Sequence, residues 1–296
     1  MNDLRRAIIA KRWVTSVQLD PFQSANSKRL KKLLQELSKI GVSVVDVNSS
    51  RKGIKQDSVA MASGIQREVK NMIAIPHVTS RDSLVDAVLS QILGAYTWAG
   101  VKNILVVRGD PKEMDDAHNT IPGVYQLDSP ELIRLLDYMR RDRKMDLFIG
   151  CAFCQTHQTE ETKMTEWERL QKKIAFGADF IMTQPVFYRS GWEEEIENMR
   201  RLFSRPFMVG LWPIFDEGTF MALKSGKVTG VVLPAETREM LEKNWKNRIA
   251  MQSEWILEMF EKMRGMGVAG VYIVAPFRKK HYAGFLKFLK MLKQVL

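Results

Sequence analysis

Polar and charged side chains recur just after the short apolar runs of this sequence, where strands are expected to end. They are Gln18, Asp20, Asn48, Ser49, His77, Thr79, Arg108, Asp110, His157, Gln184 and Arg278. Amide, carboxylate, imidazole and guanidinium groups together are able to bind an anionic or heteroaromatic molecule and to move a proton on it. A turn or cap explains any one such residue, but so many at equivalent positions favour a ligand site.

Eight apolar runs alternate with helical segments and must position these side chains. The runs lie in WVTSVQLDP, VSVVDVN, MIAIPHVTS, NILVVRGDP, DLFIGCAF, DFIMTQPVF, PFMVGLWPI and GVYIVAP. The alternation predicts a single α/β domain over residues 1–296, a (β/α)8 TIM barrel. A doubly wound open sheet is the alternative, because periodicity alone does not separate the two. In a barrel, all the polar strand ends would meet at one rim.

Two helical segments carry clear apolar stripes. SKRLKKLLQELSKIG has leucines at 30, 33, 34 and 37, with Ser27 as the expected N-cap and Gly41 as the expected stop. The last segment, YAGFLKFLKMLKQVL, has an apolar face flanked by Lys287, Lys290 and Lys293. Such a basic amphipathic helix is able to bind membranes. We expect it instead to pack on the barrel with its lysines in water.

Composition excludes several classes of protein. The net charge is +11, but the basic residues are spread over many segments without a nucleic-acid-binding signature, so no nucleic-acid partner is expected. No apolar run is long enough to span a membrane, and the two cysteines cannot staple a chain of this size, which predicts a cytoplasmic protein. The histidines have no metal-ligand spacing, so no metal is expected. Cys151 and Cys154 are interpreted as ordinary thiols rather than a redox pair.

Four segments together resemble the methylenetetrahydrofolate reductase family. GVKNILVVRGDPK matches a strand ending in Arg-Gly-Asp, IAIPHVTSRD a Pro-His-x-Thr segment, FGADFIMTQPVFY a Thr-Gln segment, and FMVGLWPI a later strand. Their order agrees with the family from residue 14 to about residue 280. The similarity is greatest to the bacterial branch in which the reductase is fused to a homocysteine methyltransferase, where Leu-Asp-Pro also ends the first strand.

The resemblance implies a flavin enzyme of one-carbon metabolism and methionine biosynthesis. It implies FAD, with FMN as the alternative, and NADH or NADPH as reductant. The residues implied to bind the flavin are Asn48, Ser49, His77, Thr79, Arg108, Gly109, Asp110, Tyr125, Phe153, His157 and Lys173. Arginine and lysine suit the diphosphate or the ring oxygens of such a cofactor. A homo-oligomer or a partner subunit is left open.

The implied substrate is a tetrahydrofolate one-carbon derivative, 5,10-methylenetetrahydrofolate, which is reduced to 5-methyltetrahydrofolate or formed in the reverse reaction. By resemblance, Gln184 would hydrogen-bond the pterin edge and Phe220 would pack on the aromatic ring of the folate. Arg278 would lie near the folate or its glutamate carboxylate. Asp110 would lie beside the flavin, where its negative charge would oppose that of the reduced flavin and favour hydride donation.

Two positions depart from the family pattern. Gln18 stands where the family has its catalytic glutamate, and an amide cannot donate a proton as a general acid near neutral pH. Phe153 stands where many members have tyrosine. Asp20 lies two residues after Gln18 on the same expected strand face, so it is the candidate replacement acid. The alternatives are a catalytically quiet flavin- or folate-binding member, and a barrel that serves another substrate as a component of a methyl-transfer complex.

Overall fold

Eight parallel strands close into a barrel in the computed structural model, which describes residues 4–49, 54–110, 112–113, 120–121, 123–156 and 160–293. The strands are β1 (Val14–Leu19), β2 (Val44–Val47), β3 (Ile73–Val78), β4 (Asn103–Val106), β7 (Phe148–Phe153), β8 (Phe180–Pro185), β9 (Phe207–Leu211) and β10 (Gly270–Val274). β10 pairs with β1, which closes the ring. The predicted TIM barrel is therefore confirmed, and the open-sheet alternative is excluded.

Helices follow the barrel strands and cover the outside of the sheet. They are α1 (Leu4–Ile9), α2 (Lys28–Ile40), α3 (Ser58–Glu68), α4 (Val85–Ala99), α5 (Ser129–Asp142), α6 (Glu160–Ala175), α7 (Trp192–Leu202), α8 (Glu217–Lys224), α9 (Ala235–Lys243), α10 (Arg248–Gly265) and α11 (Tyr282–Met291). Gly41 ends α2 in the left-handed conformation, as expected, at φ 113°. Ser27 stands at the N-cap position of α2, as expected, but its side chain makes no capping hydrogen bond.

The side chains of each strand contribute alternately to two apolar layers, because successive side chains point to opposite faces of the sheet. Phe180 and Tyr272 fill the inside of the barrel, whereas the other face of each strand packs under the helices. Glycines provide the room for these rings. A Cβ at Gly150 would lie 2.4 Å from the Phe180 ring, and a Cβ at Gly210 would lie 2.5 Å from Tyr272. The Phe180 and Tyr272 rings thus leave no room for a ligand in the middle of the barrel, so a ligand would have to bind at the rim.

Three features differ from the sequence predictions. α1 was not predicted; its Leu4 and Ile8 join the interior cluster, so the helix packs at the amino-terminal end of the barrel. A two-stranded hairpin of β5 (Lys112–Glu113) and β6 (Thr120–Ile121) interrupts the connection after β4. The short apolar segment VTGVVLP, between α8 and α9, has a composition that predicts an extended segment, but it forms turns and irregular backbone instead of a strand.

The last helix packs on the barrel as expected. Phe285, Phe288 and Leu289 of α11 are fully buried, while Lys287 and Lys290 are exposed. Two of these rings contact Phe215, which follows β9. Among the residues that the structure describes, no helix combines the length and the hydrophobicity needed to cross a bilayer.

Candidate functional site

The carboxyl ends of the eight strands bring most of the sequence-predicted site residues to one rim. β1 carries Gln18 in register with Asp46 of β2, and β3 ends next to β4. The predicted residues at the ends of β4, β8 and β10 lie at the same rim, because every pair in the ring is parallel. His157 lies outside the described residues. The rim is therefore where the geometry of a site must be sought.

A buried polar group lies just inside the rim between β1, β2 and β3. The Asp46 carboxylate is fully buried and accepts a hydrogen bond from Ser16 Oγ at 2.7 Å. Its other oxygen lies 3.1 Å from His77 Nε2. Ser58 Oγ donates to the carbonyl of His77 at 2.7 Å. The imidazole is thus fixed in orientation at the wall of the barrel beside Gln18, whose side chain shares the interior face with Ser16.

The turns after β3 and β4 form one interlocked surface. Thr79 Oγ1 donates to the carbonyl of Arg108 at 2.6 Å and accepts from the amide of Arg81 at 3.1 Å. Gly109 adopts φ +80°, and a Cβ there would lie 2.7 Å from Thr79 Oγ1, so this position requires glycine. Tyr125 donates its hydroxyl to the carbonyl of Gly109 at 2.7 Å. The four predicted residues Thr79, Arg108, Gly109 and Tyr125 therefore lie together.

Charged groups of this surface remain partly open to solvent. The guanidinium carbon of Arg108 lies 5.5 Å from the centroid of the Tyr125 ring, and the residue is exposed. Asp110 is half-buried, and its backbone carbonyl accepts a hydrogen bond from Arg81. Arg81 is itself buried and also pairs with Asp82. Buried Arg81 thus holds the turn after β4, and exposed Arg108 of the same turn is able to contact a ligand.

Asp20 is engaged in an ion pair at the end of β1. Its carboxylate contacts Lys55 Nζ, and both side chains are mostly buried. Burial, and after it the charge of Asp20, raises the pKa of Tyr282 to about 12. Asn48 and Ser49 are half-buried beyond β2, with the amide of Asn48 bonded to the carbonyl of Leu19 at 2.9 Å. A carboxylate that faces an ammonium group must give up that pairing to carry a proton.

Gln184 lies at the end of β8 with its backbone held by another glutamine. Gln155 Nε2 donates to the carbonyl of Gln184 at 2.8 Å, and Gln155 Oε1 accepts from its amide at 3.0 Å. The side-chain amide of Gln184 is half-buried next to Gly230, where an added Cβ would lie 3.5 Å from Gln184 Nε2. Gln155 was not predicted as a site residue.

Two residues that the resemblance assigns to the flavin lie elsewhere. Phe153 belongs to the outer layer, where its ring packs edge-on against Phe203 at 5.1 Å, because strand alternation turns it away from the interior. Lys173 is buried, with Nζ donating to the carbonyl of Ala152 at 2.7 Å and 3.4 Å from a carboxylate oxygen of Glu166. Its ammonium group is therefore bonded to protein groups between α6 and β7 instead of facing the rim.

The substrate-binding candidates after β9 and β10 differ in accessibility. Phe220 is buried, 5.1 Å from Trp245 between ring centroids, so it faces protein rather than the rim. Arg278 is exposed beside Gly218 at the beginning of α8. Its neighbour Phe277 is 47 % exposed and packs edge-on against Trp212 at 5.6 Å. Phe277 and Trp212 follow two adjacent strands. Neither was predicted as a site residue, and the signal that could have identified them is an aromatic residue soon after each strand.

The two cysteines are free and lie in different environments. Cys151 is fully buried in the outer layer, and burial raises the pKa of its thiol to about 12. Cys154 follows the strand and is half-buried, with Sγ 3.5 Å from the carbonyl of Gly230. These positions match the interpretation as ordinary thiols rather than a redox pair.

Asp46 and Gln155 are two further residues that sequence reasoning missed. Asp46 carried a signal, since it is the one charged residue inside the run VSVVDVN. A fully buried carboxylate is costly unless it is hydrogen-bonded, which usually marks a specific role. Gln155 carried a weaker signal, as one of several polar residues in CQTHQT. Its importance depends on contacts between strands that the sequence does not give.

Comparison with solved structures supports the fold at low sequence identity. An uncharacterized protein from Clostridium thermocellum, described as binding two copies of 5-methyl-5,6,7,8-tetrahydrofolic acid, matches with a TM-score of 0.65 and 14% identity over 99% of each chain. A 2,3-dimethylmalate lyase matches with a TM-score of 0.54 and 14% identity over 98% of this chain and 83% of its own. These likenesses show a shared barrel and nothing further.

Sequence comparison goes further than the fold. A probable methylenetetrahydrofolate reductase (NADH) from Oryza sativa subsp. japonica is 22% identical over 249 residues, which cover 78% of this chain. The match covers 40% of the rice protein, so this chain spans well under half the length of that relative. The family model for methylenetetrahydrofolate reductase matches residues 4–289, nearly the whole sequence. This chain therefore belongs to the methylenetetrahydrofolate reductase family, as the motifs predicted.

Proposed function

We propose that this chain is a flavin-dependent oxidoreductase that interconverts 5,10-methylenetetrahydrofolate and 5-methyltetrahydrofolate with a nicotinamide as the electron donor. The observation that carries the proposal is the convergence of the family's motif residues at one rim: His77 and Thr79 come from the end of β3, Arg108 from the end of β4 and Gln184 from the end of β8. Family membership supports the chemistry. We also propose that the protein is cytoplasmic, because both cysteines of the described structure are free thiols.

The surface formed by the β3 and β4 turns fits a flavin. Arg108 offers an exposed cation and Tyr125 an aromatic face, next to a glycine whose missing Cβ lets the backbone lie close. His77 offers a fixed ring beside them. A bound flavin would supply hydride transfer between nicotinamide and folate. FAD is our preferred cofactor, and FMN is the alternative, since Lys173 and Phe153 do not face the rim.

Lys173 is proposed to support the cofactor indirectly. Its bond to the Ala152 carbonyl holds the end of β7, and Glu166, its partner, also lies 3.4 Å from the amide of Cys154. Removing the ammonium group would leave the half-buried Glu166 carboxylate paired with Arg169 alone of these two cations, and the end of β7 would loosen. Lys173→Met should therefore weaken flavin binding less than Arg108→Ala but lower stability more.

The folate would occupy the other side of the rim. Gln184 presents an amide able to donate to and accept from a pteridine edge. Phe220 is buried, so we assign the contact with the aromatic ring to the exposed Phe277 supported by Trp212. Arg278, the next residue, would face the glutamate carboxylate. Phe277→Ala should raise the KM for folate, and the matched change Phe220→Ala should mainly lower stability.

The source of the proton is the open chemical question at Gln18. Asp20, the residue directly after β1, is the first carboxylate beyond Gln18 along the chain, and it is paired with Lys55. If Asp20 is the donor, Asp20→Asn should abolish folate reduction and leave nicotinamide oxidation with an artificial acceptor intact. Full folate turnover by that variant would point to water as the donor.

A second candidate function is a member that binds flavin and folate without turnover. Gln18 favours it, because general acid catalysis contributes about 10²–10⁴-fold in rate. Gln18→Glu separates the two functions. It should restore turnover to a quiet protein, whereas in a working enzyme the added carboxylate should leave the rate nearly unchanged or lower it.

Flavin binding is the first experiment. The protein should retain a flavin absorbance after reconstitution with FAD, and Arg108→Ala should weaken the binding. The matched control is Arg143→Ala, which removes an exposed arginine of the α5 terminus. A protein that binds neither FAD nor FMN by calorimetry would remove the basis of the proposal.

A further inference from the structure

The backbone of Gln184 lies where the ladder of the sheet is interrupted on both sides. β7 ends at Phe153, which pairs with Thr183. On the other side, the register between β8 and β9 shifts between Met182 and Pro185. Gln184 therefore has no strand residue opposite it in either neighbour. Because an unpaired backbone amide or carbonyl at a half-buried site is costly, some other group must satisfy this one.

The side chain of Gln155 takes the place of the missing strand residue. Its planar amide makes two bonds to the same residue, accepting from the Gln184 amide at 3.0 Å and donating to the Gln184 carbonyl at 2.8 Å. Thr183 Oγ1 also donates to that carbonyl at 2.8 Å and accepts from the amide of Gly210 at 3.3 Å, which bridges the register shift. Among side chains long enough to reach, only glutamine both donates and accepts in this way.

A half-buried carboxylate of α7 lies near the Gln155 amide. Glu195, in the first turn of α7, pairs with Arg189 at 2.6 Å. Burial raises the pKa of Glu195, and Arg189 and Gln155 oppose that rise. A chain of contacts runs from Arg189 through Glu195 and Gln155 to the residue that we assign to the pteridine.

We propose that Gln155 is a positioning residue for Gln184. The inference rests on the proposed function, since the position of Gln184 affects substrate binding only if its side chain contacts the substrate. Fixing both backbone groups of Gln184 fixes the direction of its Cα–Cβ bond, and so holds its side-chain amide at the rim next to Gly230. A loosened Gln184 would bind the pteridine edge more weakly without affecting the electron donor.

The test uses Gln155→Glu, which keeps the shape but exchanges two donors for an oxygen. That oxygen would face both the Gln184 carbonyl and the Glu195 carboxylate. The control is Gln171→Glu on the exposed face of α6. Hydrogen exchange of residues 180–187 should show Gln184 losing protection by at least about tenfold in Gln155→Ala, which removes the acceptor of the Gln184 N–H, and unchanged protection in Gln171→Glu. Tenfold is the equivalent of one hydrogen bond of about 1.4 kcal/mol.

Kinetics then separate positioning from a merely structural role. Gln155→Glu should raise the KM for folate by about tenfold while reduction of the enzyme by nicotinamide is unchanged. Lowering the pH should restore part of the loss, because a protonated carboxyl regains a donor and Glu195 loses its repulsion. Gln155→Ala should show the loss without the recovery, and Glu195→Gln should stay close to the parent protein.

Two results would overturn the proposal. One is unchanged protection of Gln184 in Gln155→Glu and Gln155→Ala. The other is lost protection with an unchanged KM for folate, or with unchanged binding of 5-methyltetrahydrofolate by calorimetry where turnover is too slow to measure. If the parent protein neither binds nor reduces folate, the proposed function fails along with the role in substrate binding, and the exchange experiment still decides separately whether Gln155 holds Gln184.

Discussion

Replacing Asp46 by alanine should be among the most damaging single changes in the barrel. The carboxylate is fully buried and serves Ser16 at 2.7 Å and His77 at 3.1 Å. Alanine would leave both groups without their partner, at about 1–3 kcal/mol each. The two losses together amount to about 2–6 kcal/mol. That loss is a large part of the ~5–15 kcal/mol typical of a folded protein.

Urea denaturation followed by circular dichroism measures this loss. The control is Asp146→Ala, because Asp146 pairs with Arg5 and Lys102 at the surface, where such pairs contribute about 0–1 kcal/mol. Asp46→Asn should fall between the two, since an amide still accepts from Ser16. If Asp46→Ala were within about 1 kcal/mol of the parent protein, the buried carboxylate would not organise Ser16 and His77 as described.

The remaining predictions concern the flavin, the last helix and the thiols. Asp110→Asn should raise the flavin potential and slow hydride transfer to folate while reduction by nicotinamide persists; an unchanged potential, measured by dye equilibration, would make Asp110 only a turn residue. Truncation after Ala275 should give insoluble protein in a solubility assay, because it removes the buried rings of α11; a soluble, folded product would contradict this. Iodoacetamide at mildly alkaline pH should label Cys154 before Cys151, whose thiol stays protonated well above that pH; equal labelling by mass spectrometry would count against the burial.

The barrel and its rim could be predicted because the sequence repeats one pattern eight times. Each apolar run is followed by a helix, and polar residues follow the runs at equivalent places, so a parallel closed sheet places them together without further information. The cluster of Thr79, Arg108, Gly109 and Tyr125 could be predicted in this way, because its members follow two of the apolar runs. α1 was missed because a six-residue helix has too few turns to show a period.

The orientation of individual side chains was harder to predict. Phe153 was assigned to a pocket by resemblance, although strand alternation puts it on the same face as the buried Cys151. Lys173 is on a helix, and only the packing of α6 on β7 decides that its ammonium group reaches the Ala152 carbonyl. The bond between Gln155 and Gln184 depends on a register shift that no local pattern reveals.

The central claim is that this rim passes a hydride from a nicotinamide to a folate. The most direct measurement reduces the FAD-reconstituted protein with NADH or NADPH under anaerobic conditions and then adds 5,10-methylenetetrahydrofolate. We predict that the absorbance of oxidised flavin returns in proportion to the folate added, and that mass spectrometry finds an equal amount of 5-methyltetrahydrofolate. Flavin that stays reduced with the folate, while an artificial acceptor oxidises it at once, would contradict the claim.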